Sequence, residues 1–143
     1  MEAFQRYQMK EYIFNTDDYI TIPYARDGRS FKGCDCYGLL ILIYRVELGI
    51  ELKDYKLASY DDATVAMAMV ENYYTQFDEI SPEQIKPFDI VSICNNSKTP
   101  NHCGVILGKQ KFIHSLSGYG CAVSKLKVWN KRIYNFHRFR DIQ

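Results

Sequence analysis

No long hydrophobic segment occurs in the 143-residue sequence. The longest aliphatic run, residues 39–43, is far short of the roughly 18 residues that cross a bilayer. The first twelve residues are polar and mixed in charge, without the basic stretch and apolar stretch of a signal peptide. These absences predict no membrane association, and synthesis in a cytoplasm without a signal peptide.

A strong net charge is also absent, because 18 Lys and Arg nearly balance 17 Asp and Glu. The charges are unevenly placed: residues 1–97 carry nine basic and sixteen acidic side chains, and residues 98–143 carry nine basic and one acidic. The basic bias is diffuse and no base-reading motif is present, so we predict no nucleic-acid role. Solvated strand faces, an anionic polymer or the acidic face of another subunit are alternative explanations of the bias.

What is present is an ordinary globular composition, with 47% hydrophobic and 24% charged residues. That balance excludes a disordered chain, a collagen-like repeat and a coiled coil, and the length predicts one domain over residues 1–143. The five cysteines are odd in number and form no disulfide framework. We therefore expect reduced thiols, at least one of them reactive.

The first half of the chain is predicted to be helical after an extended or irregular segment that runs to about Gly33. A helix is expected over Cys36–Leu48, with Asp35 as its N-cap and Gly49 as its C-terminal stop. Its residues are apolar nearly all round, which indicates a buried helix. A second helix is expected from residue 61 or 62 to about residue 74.

The second half is predicted to be extended, after one capped turn at residues 81–84. Five short β runs follow: Phe88–Ile93, Cys103–Leu107, Lys111–Leu116, Cys121–Leu126 and Ile133–Phe139. Helices followed by adjacent strands predict an α+β fold, in which an antiparallel sheet packs on the buried helix.

Cys36 is a candidate nucleophile because it would begin the buried helix. Unpaired amide N–H groups and the helix dipole at that position favour the thiolate, which is the reactive form. Gly38 is expected to leave space over the thiol for a substrate backbone. The alternative interpretation is a small buried core residue, which is the common role of an isolated cysteine.

Two histidines fall on strands that are expected to form a hairpin. If the turn uses residues 108–110, Gly104 faces His114 and His102 lies diagonally beside His114 on the same side. One imidazole can then take the thiol proton while the other fixes its tautomer and orientation. A two-residue turn would instead put the two histidines on opposite faces of the sheet.

Cys34 precedes the expected helix and is the less favoured nucleophile. A competing use is a zinc site formed by Cys34, Cys36, His102 and Cys103, although structural zinc sites usually show Cys-x-x-Cys spacing. We therefore predict no metal and no other cofactor. Tyr24 is a candidate hydrogen-bond donor to an oxyanion, together with the Cys36 N–H; packing in the core is the alternative.

Six short segments, spread over about residues 20–140, form one series of motifs when they are taken in chain order. They are Pro23-Tyr24 followed by Gly28, Asp35-Cys36-Tyr37-Gly38-Leu39, Ile85–Val91, His102-Cys103-Gly104-Val105, Lys111-Phe112-Ile113-His114-Ser115 and the basic final strand Arg132–Arg140. In this order they resemble the motifs of the NlpC/P60 family of papain-like cysteine peptidases.

The resemblance implies a papain-like α+β fold with an N-terminal nucleophile helix on an antiparallel sheet of five to six strands. It also implies a cysteine-type endopeptidase that hydrolyses amide bonds in the stem or cross-bridge peptides of bacterial peptidoglycan. Carried over by position, Cys36 would be the nucleophile, His102 the base, His114 the orienting residue and Tyr24 an oxyanion donor.

Three residues depart from the family pattern. Tyr37 replaces the usual Ser, Asp27 replaces one of two glycines, and Phe88 replaces the Gly before Asp89. An aromatic residue after the cysteine, together with residues 45–52, resembles the phage and prophage branch of the family. That branch implies phage tail proteins as partners, and the virion tail or the bacterial cell wall as the final location.

Two other functions are compatible with the same motifs. One is a non-catalytic subunit for phage tail assembly that keeps the fold. The other is an amidase or acyltransferase that uses the Cys–His site on a different acyl group.

Overall fold

The computed structural model describes residues 14–108 and 110–140, which form an α+β fold. Its elements in chain order are β1 (Arg29–Ser30), β2 (Gly33–Cys34), α1 (Cys36–Ile43), α2 (Asp62–Ala68), β3 (Phe77–Ile80), β4 (Ile90–Ile93), β5 (His102–Ile106), β6 (Lys111–Leu116), β7 (Gly120–Lys125), α3 (Leu126–Trp129) and β8 (Ile133–Phe139). Within these residues, no helix has the length and apolar character needed to cross a membrane.

Helix α1 is the buried centre of the fold, as its composition predicts. Asp35 caps it, because its carboxylate accepts a hydrogen bond from the Gly38 N–H at 2.8 Å. After Ile43 the helix widens into a π-helical turn, Tyr44–Leu48, and Gly49 ends it in the left-handed conformation at φ 66°. The predicted helix, its cap and its stop are all confirmed.

The main sheet has six strands in the order β3-β8-β4-β5-β6-β7, and every neighbouring pair is antiparallel. Helix α1 packs against β5 and β6, so the start of the helix lies beside the strands that carry His102 and His114. The prediction of an antiparallel sheet of five to six strands on a buried helix is confirmed.

Three features of the sheet and its surroundings differ from the sequence prediction. The edge strand β3 was not predicted, because its two charged residues hide any alternation and its pairing with β8 is non-local. The hairpin β1–β2 lies in the segment predicted as extended or irregular, and its strand pairing was not predicted. Leu126, predicted to end a strand, begins α3 instead, because its buried side chain turns onto the back of the sheet.

The second helix and the capped turn are also confirmed. Helix α2 continues into a π-helical turn, Met69–Tyr73, which buries Met69 and Tyr73. The turn Pro82–Gln84 carries the reciprocal hydrogen bonds of a capping box between Ser81 and Gln84.

The turn between β5 and β6 sets the register that the candidate site depends on. Val105 pairs with Ile113, and the Leu107 N–H donates to the Lys111 carbonyl at 2.7 Å. This register confirms the arrangement expected from a turn at residues 108–110, of which residue 109 lies outside the described residues. A Cβ on Gly104 would lie 3.3 Å from the His114 Cβ, so the two residues face each other.

Two of the three departures from the family pattern lie where the backbone is left-handed. Asp27 has φ 56° and Phe88 has φ 76°, a region that glycine occupies without strain. Phe88 is held there because its ring is fully buried against Phe14 and its N–H donates to the Ile106 carbonyl at 2.9 Å. Burial of the ring therefore offsets the conformational cost of replacing glycine.

Candidate active site

Cys36, the first residue of α1, lies half-buried in a cavity of about 260 Å³. His102, Cys103 and Tyr24 line the same cavity, so the structure brings together the predicted nucleophile, base and oxyanion donor. The fourth predicted residue, His114, is fully buried behind His102. All four side chains therefore belong to one constellation.

The thiol of Cys36 has a pKa well below its usual value. A hydrogen bond from the Cys103 thiol is the main cause, and the imidazole of His102 lowers the pKa further by hydrogen bonding and by charge; burial acts in the opposite direction. The same contact raises the pKa of Cys103, which stays protonated as the donor. Sequence reasoning missed this role of Cys103, although its position beside His102 on β5 would have suggested it.

The two imidazoles form a hydrogen-bonded line that continues to a serine. His102 Nε2 lies 2.8 Å from His114 Nδ1, and His114 Nε2 lies 2.9 Å from the Ser124 hydroxyl. Because His102 uses Nε2 for this contact, its Nδ1 is the nitrogen left for Cys36. A protonated His102 donates from both nitrogens, so His114 must accept at Nδ1 and carry its own proton on Nε2, facing Ser124.

His114 is neutral in this arrangement. Burial, aided by repulsion from His102, lowers the pKa of His114 to about 3. Aromatic rings enclose it: the Phe112 ring centroid lies 4.5 Å away, and Trp129 makes an edge contact at 4.9 Å. These walls exclude water from His114, so it can orient His102 without competing for its proton.

Ser124 and Trp129 were not identified from the sequence. Strand β6 pairs with β7 so that His114 lies opposite Ala122, which puts Ser124 diagonally beside His114 on the same face. A three-residue turn at residues 117–119 produces this register, as residues 108–110 do for the preceding hairpin. Counting the second turn in the same way would have found Ser124, whereas Trp129 depends on the unpredicted helix α3.

Asp35 is the polar centre on the nucleophile side of the cavity. Beside the Gly38 contact, its carboxylate accepts from the Arg29 guanidinium at 2.8 Å, the Asp27 N–H at 2.9 Å and the Tyr60 hydroxyl at 3.0 Å. Burial and the neighbouring Cys36 anion raise the pKa of Asp35, while Arg29 acts against them. Asp35 thus fixes the start of α1 as a shared acceptor.

Gly38 has a different role from the one predicted. A Cβ at this position would lie 2.0 Å from the Gly28 carbonyl oxygen, so the side chain is excluded by the backbone before β1. Gly38 therefore allows the turn at Gly28 to pack on the first turn of α1, rather than leaving space over the thiol.

Tyr24 keeps its proton in the cavity. Burial is the main cause that raises the pKa of Tyr24 to about 12, and the negative charges of Cys36 and Asp35 add to it. The backbone of Tyr24 pairs with Cys34 in an isolated bridge next to the nucleophile helix. Tyr24 is therefore a protonated hydrogen-bond donor held beside Cys36.

Tyr37, which replaces the usual serine, is buried rather than exposed at the cavity mouth. Its hydroxyl donates to the Lys53 carbonyl and accepts from the Gln76 side chain at 2.9 Å. Its ring packs against Tyr55 with centroids 4.5 Å apart. Tyr37 thus shapes the cavity wall through its ring, while its hydroxyl is engaged with the protein.

Cys34 is separated from the cavity. Its side chain is fully buried in β2, and its sulfur lies 3.9 Å from the sulfur of Cys121. Within residues 14–108 and 110–140, no group of three or more His, Cys, Asp or Glu side chains is placed to hold a metal ion. The alternative zinc site with Cys34 as a ligand therefore has no geometric support in this part of the chain.

A thiol at the start of a buried helix, facing a pair of imidazoles on an antiparallel sheet, defines the papain-like class of α+β folds. Comparison with known families agrees, because the NlpC/P60 family profile matches residues 21–138. The chain belongs to the NlpC/P60 family.

Three relatives illustrate the range of the family. Gamma-DL-glutamyl hydrolase of Bacillus subtilis is 26% identical over 91% of this chain and 29% of its own length. Murein DD-endopeptidase MepS/Murein LD-carboxypeptidase of Escherichia coli K12 is 24% identical over 82% of this chain and 55% of its own. Tail tip assembly protein K of Escherichia phage N15 is 28% identical over 76% of this chain and 46% of its own. The chain thus spans between about a third and just over half of these relatives.

Solved structures show the same fold. The NlpC/p60 domain of peptidoglycan hydrolase SagA superposes with a TM-score of 0.59 at 19% identity, over 85% of this chain and 90% of that domain. The P60 domain of the Mycobacterium avium subspecies paratuberculosis antigen MAP1204 has a TM-score of 0.63 at 17% identity, over 99% of this chain and 96% of that domain. Predictions of the family and the fold class are confirmed.

Proposed function

We propose that this chain is a cysteine peptidase that hydrolyses amide bonds in the stem or cross-bridge peptides of bacterial peptidoglycan. The observation that carries the proposal is the Cys36 thiol in a cavity that His102 also lines, with a hydrogen-bonded line from His102 through His114 to Ser124 behind it. The names of related murein and peptidoglycan hydrolases support the substrate class.

In the acylation step, the Cys36 thiolate attacks the carbonyl carbon of the scissile amide. The Cys36 N–H at the helix start and the Tyr24 hydroxyl donate hydrogen bonds to the oxyanion that forms. Protonated His102 then gives its Nδ1 proton to the leaving amine, and an acyl thioester on Cys36 remains. Cys103 stabilises the thiolate before the attack by donating to its sulfur.

In the deacylation step, His102 takes a proton from water, which attacks the thioester and releases the acid product. The Cys36 thiolate leaves, and His102 keeps the proton for the next cycle. His114 holds the His102 ring in one orientation throughout, because it accepts the Nε2 proton and is itself too weak a base to take it. Ser124 fixes the tautomer of His114 that makes this possible.

We further propose that the peptidase acts as part of a phage tail. The supporting observations are the similarity to a tail tip assembly protein and an aromatic residue, Tyr37, directly after the nucleophile. Synthesis in the bacterial cytoplasm, assembly with tail proteins and release at the cell wall form a consistent sequence for this assignment. The alternative favoured by the same relative is an assembly subunit without catalysis.

The test is the release of new amino termini from purified sacculi by the wild type, Cys36→Ala and Cys94→Ser. Cys94 is a half-buried cysteine outside the cavity lining, so its substitution controls for the loss of a thiol. We expect Cys36→Ala to lose at least about 10³-fold in rate and Cys94→Ser to keep wild-type activity. Equal release by the wild type and Cys36→Ala would refute the assignment.

Alkylation separates the peptidase from the non-catalytic subunit. A thiol-directed electrophile should label Cys36 selectively near pH 7, since its lowered pKa favours the reactive thiolate. Slow, unselective labelling together with co-assembly into tails and no cleavage would instead identify the assembly subunit.

A further inference from the structure

Cys34 and Cys121 form a close pair of thiols that the proposed reaction does not use. Their sulfur atoms are 3.9 Å apart although the residues are 87 positions apart in the chain. Cys34 is fully buried in β2, and Cys121 is half-buried in the edge strand β7. Neither residue lines the cavity around Cys36.

The backbone around the pair is fixed on both sides. The Cys34 N–H donates to the Pro23 carbonyl at 3.1 Å, and the Cys34 carbonyl accepts from the Ser115 hydroxyl at 2.8 Å. The Cys121 N–H donates to the Ile22 carbonyl at 3.2 Å. The segment that leads to Tyr24 is therefore hydrogen-bonded to the backbone of both cysteines, whose sulfur atoms lie 3.9 Å apart.

The two thiols are unequal in reactivity. The hydrogen bond from the Cys34 thiol lowers the pKa of Cys121, and Ser115 lowers it further against the effect of burial. The same contact and burial raise the pKa of Cys34. Cys121 is thus the more acidic and more exposed thiol, and Cys34 is the protected partner next to it.

We propose that Cys34 and Cys121 are a disulfide-forming site that closes when the protein meets a small disulfide oxidant such as oxidised glutathione. The Cys121 thiolate attacks one sulfur of the oxidant, whose S–S bond breaks and releases one reduced glutathione. Cys34 then loses its proton to water and attacks the Cys121 sulfur, which expels the second glutathione. Two electrons pass from the protein thiols to the oxidant, which leaves as two thiols.

The bond would tie the start of the nucleophile helix to the strand that carries Ser124. Cys34 precedes Cys36 by two residues and pairs with Tyr24, so the crosslink fixes the nucleophile segment against β7. Because the crosslink closes a long loop, it lowers the conformational entropy of the unfolded chain and so stabilises the folded state. The crosslink does not include Cys36, so a protein whose nucleophile is shielded during oxidation should keep Cys36 as a free thiol afterwards.

The experiment compares Cys36→Ala, Cys36→Ala/Cys121→Ser and Cys36→Ala/Cys94→Ser after equilibration with glutathione redox buffers at pH 8. The Cys36→Ala background prevents reaction at the nucleophile and makes the result independent of the proposed function. Non-reducing peptide mapping should find a Cys34–Cys121 crosslink, two hydrogens lighter, in the first and third proteins. Their melting temperatures should rise by about 5 °C or more on oxidation.

Cys36→Ala/Cys121→Ser should show neither the crosslink nor the rise in melting temperature. Stable glutathione adducts on Cys121 without loss of the Cys34 thiol would overturn the proposal, as would a crosslink that leaves the melting temperature unchanged. A parallel assay on wild type with Cys36 shielded by a reversible thiol inhibitor should recover its full rate after oxidation and inhibitor removal. Loss of that rate with the crosslink in place would contradict the claim that the oxidised form keeps a working nucleophile.

Discussion

The two halves of the candidate site are held in place by different interactions. The nucleophile half, residues 24–36, depends on Asp35, whose buried carboxylate collects hydrogen bonds from Arg29, Tyr60 and two backbone amides. The imidazole half, His102, His114 and Ser124, contains a line of hydrogen bonds that is enclosed by aromatic rings around His114 and fixed by strand register.

The difference follows from what each half has to do. The nucleophile half must hold an anionic sulfur beside a buried carboxylate, so it needs a guanidinium and many donors nearby. In the proposed reaction, His102 must give up a proton and take one back at the same nitrogen, so the imidazole half needs a defined tautomer and few competing groups. Substitution of Asp35 should therefore mainly affect folding, and substitution of His114 or Ser124 should mainly affect turnover.

Within the imidazole half, the largest effect on turnover is expected at His114. Leu and Asn have nearly the same shape, but only Asn offers an oxygen where His114 Nδ1 accepts from His102. We expect His114→Leu to lower kcat by roughly 100-fold or more and His114→Asn by roughly tenfold, with KM nearly unchanged in both. Steady-state kinetics on a defined peptide checks this, and equal losses in the two variants would show that His114 only fills space.

The largest effect on folding is expected at Asp35. Asp35 and Asp54 both bond Arg29 at 2.8 Å, but the Asp35 side chain is 6% exposed and that of Asp54 is 57% exposed. Asp35→Ala removes the helix cap and leaves several buried hydrogen-bond donors without an acceptor. We therefore expect the free energy of unfolding to fall by about 3 kcal/mol. Asp54→Ala should cost less than about 1 kcal/mol. Urea unfolding measures both, and similar losses would remove the distinction between a buried and an exposed partner.

The imidazole half was largely predictable because the number of residues in the turn fixes which residues of the two strands pair. The distance in sequence between Gly104 and His114, with a three-residue turn, fixes the pairing and puts His102 beside His114. The identity of Cys36 as the helix start followed from Asp35 and the apolar run behind it. Both inferences use local rules, which a single sequence contains.

The nucleophile half was not predictable beyond its cap. Its partners Asp54 and Tyr60 come from an irregular segment between the helices, where no periodicity indicates which side chain turns inward. The left-handed backbone at Phe88 was likewise hidden, because a bulky residue there is compatible with that conformation only through buried contacts distant in sequence. Non-local packing overrides local preference at these positions.

The third histidine, His137, differs from His102 and His114 because it is buried outside the hydrogen-bonded line of the candidate site. His137 is 4% exposed in β8, and its Nδ1 has no hydrogen-bond partner among residues 14–108 and 110–140, while Tyr74 packs on its ring at 4.7 Å. Burial lowers the pKa of His137 from 6.5 to about 4. The unfolded chain therefore binds a proton more readily, and stability is complete above about pH 6.5 and is lost as the pH falls towards 4.

Removing that histidine should make the protein less sensitive to acid. Between pH 7.5 and pH 5, protonation of His137 in the unfolded chain lowers the free energy of unfolding of the wild type by about 2 kcal/mol. Over the same pH range, the free energy of unfolding of His137→Phe should therefore fall by about 2 kcal/mol less than that of the wild type. The remaining loss includes His114, whose pKa is lowered in the same direction. Urea unfolding at the two pH values checks the prediction, and identical pH dependence in the two proteins would contradict it.

The smallest effect is expected at Ser124, which acts on the reaction only through His114. Its hydroxyl accepts from His114 Nε2, so Ser124→Ala frees His114 to adopt the other tautomer, which cannot accept from a protonated His102. We expect roughly a tenfold lower kcat in Ser124→Ala, about 1.4 kcal/mol, and near wild-type kcat in Ser124→Thr, which keeps the hydroxyl. Nitrogen NMR should show His114 protonated on Nε2 in the wild type and Ser124→Thr, and a mixture of tautomers in Ser124→Ala. An unchanged tautomer in Ser124→Ala would mean that the aromatic walls, and not the serine, fix the imidazole half.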